Sequence, residues 1–240
     1  MFSFIGIGSA FNTALGNNNA CMKKEKDLFL IDCGSTNFSR IMERGMLDGV
    51  RQITLLQTHL HADHVGSLGD LVGYSFNVMK PQKVKKISIL SPKALVKDIQ
   101  EILRSEGISD DQYDQVAIGD SYAPKDLMGI TSIKPYLVEH VPTLTCFAYL
   151  MEIDGKNVYY SGDCNMVPDD ILSLMLDGKI DQFYQDTSKA DPENNVHLSL
   201  RKLTELIPAE HRDKVYCMHL DETFSREEAE SLGFHVVESV

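Results

Sequence analysis

The segment from Thr58 to His64 reads Thr-His-Leu-His-Ala-Asp-His and follows an apolar run. Three imidazoles and one carboxylate within six positions exceed what a structural role requires. Imidazole nitrogen and carboxylate oxygen are ligands that Zn²⁺ prefers, and they also suit Mn²⁺ or Fe. In an extended segment alternate side chains share a face. We therefore expect His59, His61 and Asp63 to point the same way and His64 to start the next turn, so that one short loop offers ligands to two adjacent ions.

Length and composition indicate a globular protein. The chain of 240 residues could form one domain or two small ones, and a hydrophobic fraction of 43% is ordinary for a chain with a substantial core. No apolar run approaches the ~20 residues of a membrane span, and the first residues do not resemble a signal peptide. Five widely spaced cysteines without a Cys-x-x-Cys pair favour a reducing compartment. We expect a cytoplasmic protein, in the host cytoplasm if its gene is viral.

The net charge of -12 argues against stable binding of a long nucleic acid, which usually needs a basic stripe. The dense basic run consists of Lys80, Lys83, Lys85 and Lys86, and we interpret it as a solvated edge strand guarded by lysines. An acidic chain can still bind anions locally, because bound dications reverse the sign of the field in their site.

Apolar and alternating runs predict strands, and periodic segments with start and stop signals predict helices. The principal strands are predicted over residues 2–7, 28–34, 87–90, 130–139, 146–152, 157–161 and 215–218. The helices are predicted over residues 40–47, 66–78, 91–105, 169–176 and 198–207. In the third helix Ser91 would be the N-cap and Pro92 the first helical residue. With no linker or repeat in between, we expect residues 1–240 to form one α/β domain, an αββα sandwich with helices on the outer faces.

Three further candidate ligands each lie just past a predicted strand end, where sheet scaffolds present functional groups. They are His140, Asp163 and His219. Alone, each would be an ordinary loop residue. Together with the cluster at residues 59–64 they form a pattern that favours a metal centre.

The order His-x-His-x-Asp-His, then His, then Gly-Asp, then His resembles the metallo-β-lactamase superfamily, from Phe2 to His219. Within it the chain looks most like the phosphodiesterase branch around ribonuclease Z. That branch has a further histidine before the last ligand, and His197 fits its place. The resemblance implies an αββα sandwich of two mixed β-sheets flanked by helices.

Carried over by position, the resemblance implies two divalent metal ions, most simply Zn²⁺, with Mn²⁺ as an alternative. One ion would be held by His59, His61 and His140, the other by Asp63, His64 and His219, with Asp163 bridging them. Asp63 could also accept the proton of the attacking water. His197 would lie off the metals, near the phosphate, as an acid or charge stabiliser.

Two further carboxylates could orient this machinery. Asp32, at a predicted strand end, could accept a hydrogen bond from a ligand histidine. Residues 183–187 stand where the ribonuclease Z branch has a His-Glu-Ala-Thr segment, whose glutamate pairs with the extra histidine. Here Gln185 or Asp186 replaces that glutamate, and the sequence leaves open which of them serves.

Relatives that process tRNA carry a protruding arm between the histidine cluster and the next histidine ligand. Here 75 residues separate His64 from His140, and predicted helices, a strand and turns account for them. The resemblance therefore favours the compact cyclic nucleotide phosphodiesterases, among them the anti-Pycsar proteins of phages and bacteria. We expect hydrolysis of 3′,5′-cyclic CMP and UMP, and also cyclic AMP and GMP, to nucleoside monophosphates. Such relatives are commonly homodimers.

Three alternatives stay open. The chain could be a reduced tRNA 3′-processing endonuclease. It could be a lactonase or thioesterase, because the same ligands serve acyl transfer. It could also be a binding module that has lost its metals, although the intact set of ligand positions argues against this. His197 discriminates between the chemistries, because a phosphodiesterase needs an extra group that faces the phosphate.

Overall fold

The computed structural model describes residues 2–240. Its strands are β1 (Ser3–Gly6), β2 (Asn19–Lys24), β3 (Asp27–Ile31), β4 (Gln52–Leu56), β5 (Ile87–Pro92), β6 (Asp114–Ile118), β7 (Ile130–Val138), β8 (Cys146–Ile153), β9 (Lys156–Tyr160), β10 (Gln182–Asp186), β11 (Val215–Met218) and β12 (His235–Val236). Its helices are α1 (Asn37–Glu43), α2 (Ala62–Val65), α3 (Leu68–Asn77), α4 (Lys93–Ser105), α5 (Asp169–Leu176), α6 (Leu200–Leu206) and α7 (Arg226–Ser231), with a 3-10 helix over Ala209–Lys214. None of these helices has the length and apolar character needed to cross a membrane.

The two halves of the chain repeat one sheet topology. The first sheet has the order β1-β2-β3-β4-β5-β6, antiparallel through β3 and parallel from β3 to β6. The second has the order β12-β11-β10-β9-β8-β7, antiparallel from β7 to β9 and parallel from β9 to β12. Both sheets are therefore mixed, and the predicted α/β class is confirmed.

Alternation along the strands divides the core into layers, because successive side chains point to opposite faces of a sheet. In β3, Phe29 and Ile31 join the large core that includes the second sheet. Leu28 and Leu30 join a separate core with residues of α1, α3 and α4. Helices thus cover the outer face of the first sheet while its inner face packs on the second sheet.

Two local predictions are wrong. Ser91 and Pro92 do not begin a helix: they extend β5 and pair with Ala117 and Ile118 of β6, a strand that sequence reasoning missed, and α4 begins at Lys93. The lysine-rich run is not an edge strand, because it precedes β5, which lies between β4 and β6. Its Lys86 is buried, and the Nζ atom donates to the Met79 carbonyl at 3.2 Å.

Candidate metal centre

The centre lies where the carboxyl ends of strands from both sheets meet, the usual position of sites on parallel sheets. The strand ends deliver Asp32 after β3, residues 59–64 after β4, His140 after β7, Asp163 after β9, Asp186 at the end of β10 and His219 after β11. All seven predicted metal ligands come together in two overlapping groups of side-chain donors, each group lying within 4.8 Å.

The first group contains the donors predicted for one ion. His61 Nδ1 lies 3.2 Å from both His59 Nε2 and His140 Nε2. Asp163 Oδ2 lies 3.9 Å from His59 Nε2 and 3.8 Å from His140 Nε2. A tetrahedral site with bonds of ~2.0–2.2 Å separates its ligand atoms by roughly 3.3–3.6 Å, so these spacings suit a zinc-sized ion. His140 Nδ1 donates to the Val196 carbonyl at 2.9 Å, which leaves Nε2 free to ligate.

The second group contains the donors predicted for the other ion. Asp63 Oδ2 lies 3.3 Å from His64 Nε2 and 3.2 Å from His219 Nε2. The two oxygens of Asp163 complete it, Oδ1 at 3.2 Å from His64 Nε2 and Oδ2 at 3.2 Å from His219 Nε2. Asp163 thus belongs to both groups, which is the position that the bridging role requires.

The sequence predicted an extended segment from His59 to Asp63, but the extended part ends at His61. α2 begins at Ala62, with His61 as its N-cap, so Asp63 and His64 lie in a helical turn. This turn packs tightly on Gly34, where an ideal Cβ would lie 1.8 Å from the Asp63 carbonyl oxygen. The expectation that Asp63 shares a face with His59 and His61 is therefore wrong, and the turn carries Asp63 and His64 into the second group.

Asp32 holds His64 in place. Its Oδ2 accepts from His64 Nδ1 at 2.8 Å and from Thr58 Oγ1 at 2.7 Å. Its Oδ1 accepts from the Thr58 backbone N–H at 2.8 Å and from Gln57 Nε2 at 2.9 Å. A carboxylate on Nδ1 directs the Nε2 lone pair of His64 towards the centre and raises its basicity. The side chain lies where its predicted orienting role requires.

Asp186, rather than Gln185, faces His197. Asp186 Oδ2 accepts from His197 Nδ1 at 2.6 Å and from the Cys164 backbone N–H at 3.0 Å, and its Oδ1 lies 3.3 Å from His219 Nδ1. Gln185 points to the other face of β10, where its Nε2 donates to Cys164 Sγ at 3.3 Å. Of the two candidates that the sequence left open, Asp186 is thus the one in contact with His197.

The charges of the centre fit two divalent cations. In residues 2–240 the buried aspartates are Asp32, Asp63, Asp163 and Asp186. All of them lie here, whereas Lys86, the buried basic side chain of that part of the chain, lies elsewhere. Burying carboxylates is costly unless cations compensate them. Asp163 Oδ1 and His64 Nε2 are also buried without a hydrogen bond to any described residue, as expected of metal-ligand atoms.

Burial and neighbouring charges shift the pKa values of the donors. Burial, followed by repulsion from His64, lowers the pKa of His59 well below its usual value, so its imidazole is neutral. Burial acts to raise the pKa of Asp163, but His219 and His64 outweigh it and hold the pKa well below normal. Burial lowers the pKa of His219, yet Asp163 and Asp186 more than offset it and raise the pKa to about 10. The Asp163 carboxylate is thus ionised, as a ligand to a cation must be.

The centre opens on a cavity of about 470 Å³, within the ~300–1,000 Å³ of small-molecule sites. His197 lines it beside ligands of both groups, and no lysine or arginine does so among the described residues. Another wall comes from the loop between β1 and β2, where Phe11 is 88% exposed. Sequence reasoning gave this loop no part in the site, and its richness in glycine and asparagine was the available signal. An ideal Cβ at Gly8 would lie 2.4 Å from the Asn12 carbonyl oxygen, so the loop's tight path requires glycine there.

Solved structures with low sequence identity share the fold. A diphosphatase from the PhnP family matches with a TM-score of 0.76 and 16% identity, covering 99% of this chain and 94% of that one. The metallo-β-lactamase fold protein YhfI from Bacillus subtilis matches with a TM-score of 0.74 and 16% identity, covering 98% and 94%. The short form of human tRNase Z matches with a TM-score of 0.68 and 17% identity, covering 99% and 95%. The metallo-β-lactamase sandwich expected from the sequence is confirmed.

Sequence comparison identifies the family. The chain is 29% identical over 237 residues to the anti-Pycsar protein Apyc1 of Bacillus phage BSP38, covering 90% of this chain and 86% of that protein. It is 30% identical over 220 residues to Apyc1 of Saccharibacillus brassicae, covering 90% and 87%. The family model of anti-Pycsar protein Apyc1 matches residues 1–239. The chain therefore belongs to the anti-Pycsar protein Apyc1 family.

Proposed function

We propose that this protein is a metal-dependent phosphodiesterase of small cyclic nucleotides. Its substrates are 3′,5′-cyclic CMP and UMP, and also cyclic AMP and GMP, and its products are nucleoside monophosphates. The observation that carries the proposal is His197, which Asp186 holds at 2.6 Å on the cavity shared with both donor groups. Destroying cyclic nucleotides would counteract antiphage signalling, in keeping with the name of the family.

The seven ligands assigned above would hold two Zn²⁺ ions, with Mn²⁺ as the alternative. When bound, such a pair lowers the pKa of a shared water and clamps a phosphoryl oxygen. Asp63 presents Oδ2 within 3.3 Å of His64 Nε2 and 3.2 Å of His219 Nε2. From this position it serves both as a ligand and as the acceptor for the proton of the attacking water.

His197 serves the leaving group. Its Nδ1 donates to Asp186, so Nε2 is the nitrogen available to the substrate. A proton held there passes to the ribose oxygen as its bond to phosphorus breaks, or it stabilises the charge that develops on the phosphate. Stabilising charge on a phosphate is the part of this role that lactone and thioester substrates cannot use, because they carry no phosphate, and this favours phosphodiester chemistry.

The cavity suits a small substrate. Its volume of about 470 Å³ accommodates a mononucleotide, and the exposed ring of Phe11 offers a face on which a base can stack. Residues 65–139 are taken up largely by α3, β5, α4, β6 and β7, whereas a tRNA-gripping arm would need a long insertion. We propose further that residues 1–240 act as one domain and that the protein works as a homodimer in the cytoplasm, of the host if the gene is viral.

A substrate panel tests the function. The purified protein is incubated with 3′,5′-cyclic nucleotides, cyclic dinucleotides and a tRNA precursor, with and without a chelator, and products are separated by chromatography. We expect chelator-sensitive conversion of the cyclic mononucleotides to nucleoside monophosphates. Activity confined to the tRNA precursor would overturn the proposal.

A variant pair tests the role of His197. His197→Ala should lower turnover of cyclic nucleotides by about 10²–10⁴-fold, the usual contribution of a general acid. His211→Ala, in the 3-10 helix outside the cavity, is the matched control and should retain activity. Undiminished phosphodiester turnover by His197→Ala would show that the assigned role is wrong.

A further inference from the structure

Asn17 brings an unused hydrogen-bond donor to the metal cavity. The residue is 2% exposed and lines the cavity from the loop between β1 and β2. Its Oδ1 accepts from the Thr36 backbone N–H at 2.9 Å, and its own backbone N–H donates to Thr36 Oγ1 at 2.8 Å. Its carbonyl accepts from Asn37 Nδ2 at 2.8 Å. In residues 2–240 its Nδ2 has no hydrogen-bond partner, and the atom is not completely buried. Because Asn17 lines the cavity, the NH₂ group is accessible from there.

The contact with Thr36 fixes which end of the amide faces the cavity. A backbone N–H can donate only to the amide oxygen, so turning the amide over would place two donors against each other. The NH₂ group, and not the oxygen, is therefore the end of the Asn17 amide that lacks a partner in the described protein. Because three hydrogen bonds already hold the residue, the donor is in place before any ligand arrives.

Asn17 also lies next to the reacting part of the cavity. An ideal Cβ at Gly34 would lie 3.0 Å from Asn17 Cβ and 1.8 Å from the Asp63 carbonyl oxygen. Asn17 therefore packs across Gly34 onto the turn that carries Asp63. Since no lysine or arginine lines the described cavity, neutral donors and His197 are the protein groups that can meet anionic oxygens there.

We infer that Asn17 is a phosphate-binding residue whose Nδ2 donates to a non-bridging oxygen of the substrate. The inference deepens the proposed function, on which it rests for the identity of the substrate as a phosphodiester. A neutral donor at this place attracts the oxygen without adding a positive charge that would repel the two cations. Asn17 thus approaches the phosphate from the Asp63 side of the cavity.

The test uses Asn17→Asp, which keeps the acceptor for the Thr36 N–H and exchanges the NH₂ group for an anionic oxygen. Binding of inorganic phosphate to the metal-loaded protein is measured by calorimetry, alongside KM and kcat for a cyclic nucleotide. We expect phosphate affinity to fall and KM to rise, each by about 10-fold or more, the cost of losing a hydrogen bond to a charged group. Asn157→Asp adds the same charge outside the cavity, where its amide contacts the Lys179 carbonyl, and should leave both constants unchanged.

Metal content and melting temperature are measured for each variant, and Asn17→Ala, which adds no charge, is the second variant should Asn17→Asp not fold. Unchanged phosphate affinity with a raised nucleotide KM would mean that Asn17 contacts base or ribose, and would overturn the inference. If phosphate affinity is unchanged and only the melting temperature falls, Asn17 has a structural role. That result would also overturn the inference. If phosphate binding weakens as expected while the wild-type protein cleaves no phosphodiester, the proposed function fails and the phosphate site stands.

Discussion

Two residues of the centre, Asp32 and His219, have backbone conformations that residues other than glycine rarely adopt. Asp32 has φ of 68° and His219 has φ of 58°, and both lie in the left-handed region. Asp32 is kept there by hydrogen bonds from Gln57, Thr58 and His64. Such conformations persist where the surroundings over-determine them, and they concentrate at functional sites. The backbone, as well as the side-chain contacts, thus fixes the positions of the candidate ligands His64 and His219.

Replacing Asp32 tests this orientation. Asn tolerates a positive φ, but an NH₂ group in place of Oδ2 accepts no hydrogen bond, either from Thr58 Oγ1 or from His64 Nδ1. We expect Asp32→Asn to weaken metal binding by about 10–100-fold, measured by competition with a chromogenic chelator. Asp177→Asn is the control, because its exposed pair with Lys179 contributes little. Equal affinities for the two variants would contradict the role given to Asp32.

Gly162 permits the turn that places Asp163. It has φ of +58°, and a Cβ there would lie 2.7 Å from the Phe147 carbonyl oxygen. Gly178 has φ of +71° with nothing within 4 Å of its Cβ position, so it isolates the cost of the conformation. We expect Gly178→Ala to lower the free energy of unfolding by about 1–2 kcal/mol and Gly162→Ala to lower it further, measured by urea denaturation. Equal losses would show that the close contact with Phe147 is relieved without cost.

At the scale of secondary-structure elements, the sequence predicts strands well where a single signal, a short apolar run, decides the structure. β3 and β11 are short apolar runs that end just before a polar residue of the centre. β11 has the predicted bounds, whereas β3 forms but ends at Ile31 instead of residue 34. Prediction failed where tertiary pairing decides the outcome. Ser91 and Pro92 carry helix-start signals, but pairing with β6 keeps them in a strand. Likewise α2 forms within a segment of alternating histidines because its turn packs on Gly34, which no local pattern records.

The register of β10 explains why the sequence could not choose between Gln185 and Asp186. Every residue of this strand is buried, so polarity does not mark the face that meets the centre. The structure places Asp186 against His197 and Gln185 against Cys164. A one-residue slip would exchange the two faces.

Paired substitutions in β10 test this assignment. Asp186→Asn should lower turnover of cyclic nucleotides by about 10²-fold or more, because His197 loses its anionic partner. Gln185→Met, of similar volume on the opposite face, should stay near wild type. Asp186 acts on the leaving group through His197, so its loss should matter far less for bis(p-nitrophenyl) phosphate, whose leaving group needs little protonation. An equal loss on both substrates would show that Asp186 does not act through His197, and would shift its role to the contact with His219 Nδ1 or to the fold.

At the scale of the whole molecule, the centre joins the two repeated halves. The first half supplies the cluster at residues 59–64, and the second supplies His140, Asp163 and His219. Backbone hydrogen bonds also join the two halves: the Leu220 N–H donates to the Ile7 carbonyl at 2.8 Å, and the Ser9 N–H donates to the Leu220 carbonyl at 3.0 Å. Ions bound between the two halves would therefore hold both sheets together, so metal binding should contribute directly to the free energy of unfolding.

Metal removal tests this coupling. A ligand that binds only the folded state at 100 times its Kd adds about 2.7 kcal/mol, which raises the melting temperature of a chain of this size by about 5–10 °C. We expect a chelator to lower the melting temperature by that amount and added Zn²⁺ to restore it, followed by circular dichroism. His61→Ala removes a half-exposed donor of the first group and should shrink the metal-dependent rise. Identical melting curves with and without chelator, for a protein shown by elemental analysis to have lost bound metal, would mean that the ions do not fasten the two halves together.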